Sequence, residues 1–385
     1  MLALEVKNPL LSDIKSAIEN IIFTGNQANG RVVGTNIFCI TDNLRHEILK
    51  ILVSYSDKIP HPASATDSNK GNKAKADKAH SNTLIRWQIL AYVASIDLTI
   101  AKWFESHLDA LSILNELGYD QTLQGLWAVW ASEGHPLSYQ QGKVSGTKAW
   151  CSGANIIERG LMTYRDEHNR SQLLIFDMQQ DGINIDNSAW QAVGMQATDT
   201  ATIYFDQVAA SNIGAPNAYL DRVGFWHGAA GVAACWYGAV ACLASYLITA
   251  YQQKPNDYKA MYLGQISTAL AVAQQYLHYV ADLIDTEPTQ RHELAIRQLR
   301  SNVEQLARLV VETVGQALGA APFCNNAHFA RLSADLSVFI RQSHGAFDLQ
   351  KIGELSSMLA SESASKLASD KTSDFINRQG NIWQL

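Results

Sequence analysis

The most restrictive feature of the sequence is a long stretch without charge. From Val223 to Gln253 there is no Lys, Arg, Asp or Glu. A helix that is apolar on every side is buried, in a protein core or in a bilayer, and this stretch is long enough to span a bilayer. It is rich in Ala and Gly, carries scattered polar residues and has few basic neighbours, whereas basic residues orient membrane helices. We therefore predict a buried central helix of a helical bundle and no membrane span.

Two further apolar stripes follow this stretch. Their members step by alternating four and three residues, the spacing of one helix face; they are Ile266, Leu270, Ala273, Leu277, Val280 and Ile284, then Ile296, Leu299, Val303, Leu306, Val310 and Val314. Another helix is predicted from Phe329 to His344. Residues 213–385 are therefore predicted to form a four-helix bundle, with a partly ordered polar tail at 361–385.

The first part of the chain, residues 1–118, also has helical spacing. Helices are predicted at Leu10–Ile22, Asn43–Tyr55 and Thr83–Leu117, with Gly118 as the stop of the third. Between the last two, residues 57–82 contain almost no large apolar side chain. Such a segment cannot compensate its ordering entropy by burial, so we predict a mobile surface loop there.

The middle third has a different periodicity. Short β-branched and aromatic runs, separated by Gly, Asn and Asp, occur at 126–132, 147–152, 171–178 and 200–208. These runs are typical of strands, so residues 119–212 are predicted to form a small β domain. The predicted class is α+β, with a β domain between two helical domains, and ligands usually bind in the cleft at such a junction.

Composition excludes several functions. Thirty Lys and Arg against thirty-six Asp and Glu give a net charge of −6, whereas nucleic-acid binding needs a basic face. The five cysteines form no CxxC pair, so no zinc site or disulfide framework is predicted and a reducing compartment is expected. Glu105 and His107 are two residues apart on a helix and point to different faces, so their spacing predicts no metal site. Since the N-terminus lacks a secretory pattern, we expect a cytoplasmic protein.

Four segments resemble one known family in their order and spacing. They are LWAVWASEG (126–134), KVSGTKAWCSGA (143–154), GMQATDTATIYFDQV (194–208) and GQALGA (315–320). Together with the helical, β and helical layout, they resemble the acyl-CoA dehydrogenase superfamily over residues 85–355. The resemblance implies that family's fold, in which a barrel-like β domain lies between N-terminal helices and a C-terminal four-helix bundle.

The resemblance also implies a cofactor site. By the family pattern, Ser132 and Trp150 contact the flavin ring of FAD and the Ser152 hydroxyl points at flavin N5. Gln316 and Gly319 match a turn that approaches the adenine dinucleotide of a neighbouring subunit. Family members are homodimers or homotetramers, so the same is expected here.

The catalytic base of the family is missing from its usual place. In the segment 339–355 no carboxylate lies between Asp335 and Asp348. Three interpretations remain open. His344 replaces the family glutamate as the base, since neutral imidazole accepts protons near pH 7. Alternatively, Asp221 matches a position where some members carry their glutamate just before an arginine. In the third, there is no base.

The implied function is therefore an FAD-dependent oxidoreductase that removes hydrogens from the α and β carbons of an acyl-CoA or related thioester. The alternatives are a two-component flavin-dependent monooxygenase, with oxygen or an electron-transfer partner as co-reactant, and a non-catalytic flavin-binding paralogue. Lys254 stands where the family carries an arginine toward the FAD pyrophosphate, and it lacks the bidentate geometry of arginine.

Overall fold

The N-terminal part of the fold consists of four helices. The computed structural model describes residues 8–28, 40–64, 81–119, 124–134 and 136–369. The four helices are α1 (Pro9–Ala28), α2 (Asp42–Ser54), α3 (Asn82–Ile96) and α4 (Leu98–Glu116). The first two predicted helices are confirmed, and Gly118 follows the end of α4 with a φ of +69°.

The third predicted helix is two helices, because Asp97 interrupts it. Asp97 adopts an extended backbone, and its side chain accepts hydrogen bonds from the backbone N–H groups of Thr99 at 2.8 Å and Ile100 at 3.1 Å. This is an N-cap, which starts a new helix. The same carboxylate accepts a bond from Arg45 Nε of α2 at 2.8 Å, so the interruption also attaches α2 to α4.

Eight strands follow in the middle of the chain. They are β1 (Trp127–Trp130), β2 (Leu137–Gln140), β3 (Lys143–Cys151), β4 (Arg159–Arg165), β5 (Ser171–Asp177), β6 (Ile183–Asp186), β7 (Ala201–Ala209) and β8 (Ser211–Ile213). All four predicted strand runs are found here. Four further strands were not predicted, of which β2, β6 and β8 are only three or four residues long.

The described strands form two sheets, so the expected barrel-like domain is present but is not a closed barrel. One sheet has the order β1-β4-β5-β8 and the other the order β2-β3-β7-β6. β1 and β4 run parallel, and every other pair is antiparallel. Aromatic side chains join the sheets: Phe176 of β5 meets Phe205 of β7 edge to face, with ring centroids 5.2 Å apart. Such pairs add about 1 kcal/mol to the burial of their rings.

The chain then returns to helices. These are α5 (Ala218–Asp221), α6 (Gly224–Gln253), α7 (Asp257–Thr286), α8 (Glu293–Leu318), α9 (Ala321–Asn325), α10 (Ala327–Phe339) and α11 (Ala346–Ser369). Both predicted apolar stripes are buried, one on α7 and one on α8. The uncharged stretch forms α6, whose long apolar run is mostly buried among its neighbours, as predicted.

Close packing of α6 against α3 depends on a glycine. A Cβ atom placed on Gly238 would lie 2.0 Å from the carbonyl oxygen of Ala91 in α3. Real Cβ atoms do not approach backbone oxygen so closely, so only glycine permits this crossing. The N-terminal helices are thereby packed directly on the C-terminal bundle.

Three predicted segments differ from the structure or lie outside it. The helix predicted at Phe329–His344 ends at Phe339 and continues as a 3₁₀ turn over Ile340–Gln342. The helix α11 was not predicted. Residues 65–80 of the predicted surface loop, and residues 370–385 of the predicted tail, lie outside the described residues.

Candidate functional site

A cavity of about 570 Å³ lies between the two sheets and the end of α10. Its wall is formed by the ends of β1 and β3, the loop before β7, one face of α4 and the last turn of α10. The residues that line it are Lys102, Ser106, Val129, Trp130, Ala131, Ser132, Trp150, Ser152, Trp190, Ala192, Met195, Thr198, Thr200, Val338, Phe339, Arg341 and Gln342. Cavities of this size hold cofactors and drug-sized ligands.

Trp150 is the most unusual residue of this wall. The β3–β7 register shifts between Lys148 and Cys151, and Trp150 lies at this irregularity with a φ of +64°. A bulky residue rarely adopts this left-handed conformation, and such outliers are concentrated at functional sites. Its side chain is 64% exposed, although tryptophan is usually buried. It meets Trp190 edge to face, so one wall of the cavity is an aromatic corner.

A row of hydroxyl groups lies beside this corner. Ser152 Oγ is 2.9 Å from Thr200 Oγ1, which is 3.0 Å from Thr198 Oγ1. Thr198 Oγ1 donates to the carbonyl oxygen of Met195 at 2.7 Å. A carbonyl only accepts and each hydroxyl has one proton. Thr198 must therefore accept from Thr200, and Thr200 must accept from Ser152. The Ser152 hydroxyl has then used its only proton, so it can only accept any further hydrogen bond.

A buried lysine supports the floor of the cavity. Lys148 Nζ donates to the carbonyl oxygen of Thr163 at 2.5 Å, and Thr163 Oγ1 donates to the carbonyl oxygen of Ala131 at 3.2 Å. Burial lowers the pKa of Lys148 to about 8. These bonds connect β3 to β4 and to the end of β1, which fixes the position of the following residue, Ser132.

A buried aspartate attaches the cavity loop to α10. Asp335 accepts a hydrogen bond from the backbone N–H of Met195 at 2.5 Å. Burial raises the pKa of this carboxyl to about 6. Nearby, a Cβ on Gly194 would lie 2.1 Å from the carbonyl oxygen of Ala334, so the loop and the helix are in close contact.

The charged residues that line the cavity are all cationic. No Asp, Glu or His is among the described residues that line the cavity. Its charged groups, Lys102 and Arg341, are both cationic. The site thus offers aromatic faces, hydroxyl groups and positive charge, a set that suits a planar ring with polar edges and an anionic substituent, as in a flavin phosphate.

The residues predicted to bind the cofactor are only partly brought together. Ser132, Trp150 and Ser152 all line this cavity. Gln316 and Gly319 lie instead at the exposed end of α8, where Gly319 has a φ of +68° and open space around it. Their predicted contact is with a neighbouring subunit, so it stays a prediction.

Neither of the predicted bases lines the cavity. His344 is exposed, and its backbone N–H donates to Asp348 Oδ2 at 3.1 Å. Asp221 is exposed at the end of α5. The neighbouring residue, Arg222, is the one whose side chain is buried, where it pairs with Glu116 at 3.1 Å. The assignment of a base to His344 or Asp221 therefore gains no support from their positions.

A second pocket, of about 210 Å³, adjoins the first and was not predicted from the sequence. The two share five lining residues: Lys102, Ser106, Val129, Ala131 and Gln342. Its α4 side carries Lys102, Glu105, Ser106 and Asp109, which are spaced as one helix face. The overlooked signal was this polar stripe on a helix that is otherwise mostly apolar and buried. Burial raises the pKa of Glu105, an effect that Lys102 partly opposes.

No protein-family model and no curated protein matches the sequence. Solved structures match it closely in fold. Dibenzothiophene monooxygenase TdsC from Paenibacillus sp. A11-2 superposes with a TM-score of 0.68 and 16% identity, covering 90% of this chain and 96% of its own. Butyryl-CoA dehydrogenase from Megasphaera elsdenii superposes with a TM-score of 0.71 and 12% identity, and the match covers 90% of this chain and 98% of the dehydrogenase.

A third match is KijD3, solved in complex with FMN and an amino-sugar nucleotide. It gives a TM-score of 0.66 at 15% identity, and covers 97% of this chain and 96% of its own. These structures share the order of helices, sheets and helices over nearly the whole chain. The fold implied by the sequence resemblance is thus confirmed: this chain has the acyl-CoA dehydrogenase-like fold.

Proposed function

We propose that this protein is a flavin-dependent oxidoreductase that acts on a small molecule. The observation that carries the proposal is the 570 Å³ cavity in which Trp150 stands exposed beside a row of hydroxyl groups. Two of the matched structures, those of TdsC and KijD3, were solved with FMN. The donor set of the cavity suits the same kind of ring.

The residues of the cavity would hold the flavin in distinct ways. Trp150 and Trp190 would pack on the ring, and the hydroxyl groups of Ser132 and Ser152 would meet its polar edge. Arg341 is the cation available for a phosphate. A bound flavin supplies two-electron redox chemistry and, when reduced, reactivity toward oxygen. The protein itself would orient the ring between the aromatic corner and the hydroxyl groups.

The lining of the cavity favours oxygen chemistry over α,β-dehydrogenation. Removal of the α-proton of a thioester needs a base within hydrogen-bond reach of that proton. The described lining of the cavity contains no carboxylate or imidazole. Of the two reactions, we therefore favour a monooxygenase that receives reduced flavin from a separate reductase, with oxygen as co-reactant.

Acyl-CoA dehydrogenation is the second candidate, and one observation favours it. The buried carboxylate of Glu105 lines the pocket that adjoins the cavity and follows Lys102 and precedes Ser106, which line both, so it is an alternative to the family base. Butyryl-CoA dehydrogenase is also among the matched structures. In this reaction Glu105 would replace His344 and Asp221 as the proton acceptor.

Flavin binding is the first test. The purified apoprotein is titrated with FAD and with FMN, and quenching of tryptophan fluorescence is followed. We expect saturable binding of a flavin and a yellow complex. Of the two, we propose FAD, because Gln316 and Gly319 are exposed where a second copy could reach them. A protein that takes up neither flavin overturns the proposed function.

The reaction is tested on the flavin-loaded protein. Under anaerobic conditions butyryl-CoA should leave the flavin absorbance unchanged. When reduced flavin is supplied in air, a substrate should be oxygenated, with one oxygen atom entering the product and the other leaving as water; consumption of oxygen by reduced flavin alone is the blank. Bleaching by butyryl-CoA would establish the dehydrogenase instead. Stable flavin binding without either reaction would identify a non-catalytic flavin-binding paralogue.

We further propose that the protein is a homo-oligomer in the cytoplasm. Tyr258, Met261, Val272 and Tyr279 are exposed on α7, and Phe323 is exposed close to Gly315 at the end of α8. Light scattering after gel filtration should give a mass of two or four chains. Replacing Val272 by Glu should lower that mass if α7 is an interface, and cell fractionation tests the compartment.

A further inference from the structure

The pocket between α4 and α6 opens onto the candidate flavin cavity. It measures about 210 Å³ and shares five lining residues with that cavity. A ligand in this pocket would therefore lie against a flavin ring bound in the adjoining cavity. The pocket is the natural place for a substrate if the proposed flavin function holds.

The room in this pocket comes from small residues of α6. Gly228 and Ala229 face α4 at the level of Asp109. A Cβ placed on Gly228 would lie 2.5 Å from Asp109 Oδ1, so any larger residue would push the carboxylate or fill the space. Glycine in a helix interior costs about 1 kcal/mol relative to alanine. Its presence here is explained by the close approach of the Asp109 carboxylate, which it allows to stay in the pocket wall.

The charged groups of the pocket form two loose ion pairs. Lys102 Nζ lies 3.6 Å from Glu105 Oε2, and Arg222 Nη2 lies 3.7 Å from Asp109 Oδ1. Both distances exceed that of a hydrogen bond. Within the described part of the chain, neither of these two carboxylates accepts a shorter bond.

An unpartnered donor lies in the same pocket. The Arg222 side chain is 4% exposed, and its Nε has no hydrogen-bond partner among the described residues. Buried polar groups are normally hydrogen-bonded, and each unpaired one costs about 1–3 kcal/mol. Arg222 Nε is itself covered. The groups that a ligand can reach are therefore the loosely paired Lys102, Glu105 and Asp109, which offer both a donor and acceptors.

The charges of the pocket nearly balance. Its lining carries three cations, Lys102, Arg222 and Arg300, and two carboxylates, Glu105 and Asp109. Glu116, outside the lining, pairs with Arg222 and neutralises the third cation. A ligand with a large net charge would upset this balance. A hydroxyl group both donates and accepts, so it fits between an ammonium or guanidinium group and a carboxylate. An aliphatic chain would leave the loosely paired Lys102, Glu105 and Asp109 desolvated without hydrogen-bond partners.

We propose that this pocket binds a small polyhydroxylated substrate, such as a sugar ring, rather than an acyl chain. The proposal rests on the proposed flavin function, because it makes the pocket the substrate site of that cavity. Tyr219 and Phe225, which meet edge to face in the pocket wall, offer an apolar surface for the C–H face of such a ring.

The test uses flavin-loaded protein and follows the flavin absorbance as ligands are added. The probes are D-glucose, D-galactose and their nucleoside diphosphate conjugates, with butyryl-CoA as the acyl probe. We expect a saturable difference spectrum with at least one hexose ligand. Free and conjugated hexoses distinguish a sugar from a sugar nucleotide as the substrate. Butyryl-CoA should give none.

Variants locate the binding. Glu105→Gln and Asp109→Asn should each weaken the hexose ligand about tenfold or more, since each removes a charged acceptor. Gly228→Ala should abolish binding, because the added Cβ would push the Asp109 carboxylate into the pocket. Asp282→Asn, an exposed carboxylate on α7, is the matched control and should bind normally.

The outcomes separate this proposal from the proposed function. Flavin content is measured in every sample. If the unsubstituted protein binds no flavin, the proposed function itself is overturned. If the flavin is retained but no hexose ligand perturbs it, or if butyryl-CoA binds and Gly228→Ala abolishes that binding, the polyhydroxylated substrate is wrong.

Discussion

The side-chain hydroxyls of Ser152 and Thr200 lie 2.9 Å apart, and the proton between them belongs to Ser152. The direction follows from the far end of the row, where Thr198 must donate to the carbonyl oxygen of Met195. Ser152 therefore presents lone pairs to the cavity. A reduced flavin has an N–H at its ring edge that an oxidised flavin lacks, so in the proposed flavin complex this arrangement would favour the reduced form.

The first prediction concerns the midpoint potential of the bound flavin. Ser152→Ala should lower the potential, because the acceptor for the N–H of the reduced ring is lost. Thr200→Val should lower it less, because Ser152 can still accept from that N–H, although its own proton is then free to be donated to the oxidised ring. One hydrogen bond of about 1 kcal/mol corresponds to about 20 mV for a two-electron couple. A spectroelectrochemical titration measures the change.

Thr268→Val, at an exposed site on α7, is the control for Thr200→Val and should leave the potential unchanged. An increase in potential in Ser152→Ala would show that the serine donates toward the ring, contrary to the direction that the Thr198 hydrogen bond imposes.

The second prediction concerns Trp150. Its ring is mostly exposed in the cavity, so Trp150→Ala removes little buried surface from the fold. We expect the free energy of unfolding of the apoprotein to change by less than about 1 kcal/mol, whereas flavin affinity should fall about tenfold or more because the aromatic wall is lost. Fluorescence titration and urea unfolding measure the two effects.

Tyr204→Ala replaces an exposed aromatic residue on β7 that does not line the cavity, and it serves as the control. Equal flavin affinity in the Trp150 variant and the unsubstituted protein would remove Trp150 from the site.

The third prediction concerns pH and Asp335. Burial raises the pKa of its carboxyl to about 6, above the ordinary value of 3.8. Between these two values the folded chain keeps a proton that the unfolded chain releases, so this group lowers stability as the pH rises through the window. Relative to the unsubstituted protein, the free energy of unfolding of Asp335→Asn should rise by about 2 to 3 kcal/mol as the pH increases from about 4 to about 7.

Asparagine keeps an oxygen that can accept from the N–H of Met195, so the contact itself is preserved. Urea unfolding of both proteins across this range gives the difference. If the free energies of unfolding of the two proteins change with pH in the same way, burial does not destabilise the charged form of Asp335 and the prediction is wrong.

The fourth prediction concerns the crossing of α3 and α6. Gly238→Ala would force a Cβ against the backbone of Ala91, and we expect a loss of about 2 kcal/mol or more. Gly264→Ala, in α7, is the matched control because nothing lies within 4 Å of its added Cβ. There the gain in helix propensity should stabilise the chain by up to about 1 kcal/mol.

Thermal unfolding of the two alanine variants provides the comparison. Similar stability in both would mean that the helices separate readily at Gly238 and that the close contact is not needed.

Elements with strong periodicity were predictable from the sequence. The stripes on α7 and α8, the uncharged α6 and the strand run at Ser171–Asp177 each carry their pattern within the segment itself, because one face meets the core along its whole length. The interruption at Asp97 was missed, although an N-cap residue stood there, because the apolar pattern continues through it.

The candidate site was predictable only where it follows strands. Ser132, Trp150 and Ser152 were identified from local motifs, and they line one cavity. Thr198 and Thr200 lie within another of the family-like segments, but their role depends on hydrogen bonds to residues far away in the sequence. Glu105 and Asp109 were missed as pocket residues because a charged stripe on a helix usually faces solvent.

By itself, the sequence determined the order of helices and strands and the buried face of each main helix, since these depend on the spacing of apolar residues along the chain. Only the tertiary structure decided which polar groups share a pocket. Whether Lys102 and Glu105 face water or Gly228 depends on how α4 packs on α6, and this packing is set by shape complementarity between segments more than a hundred residues apart.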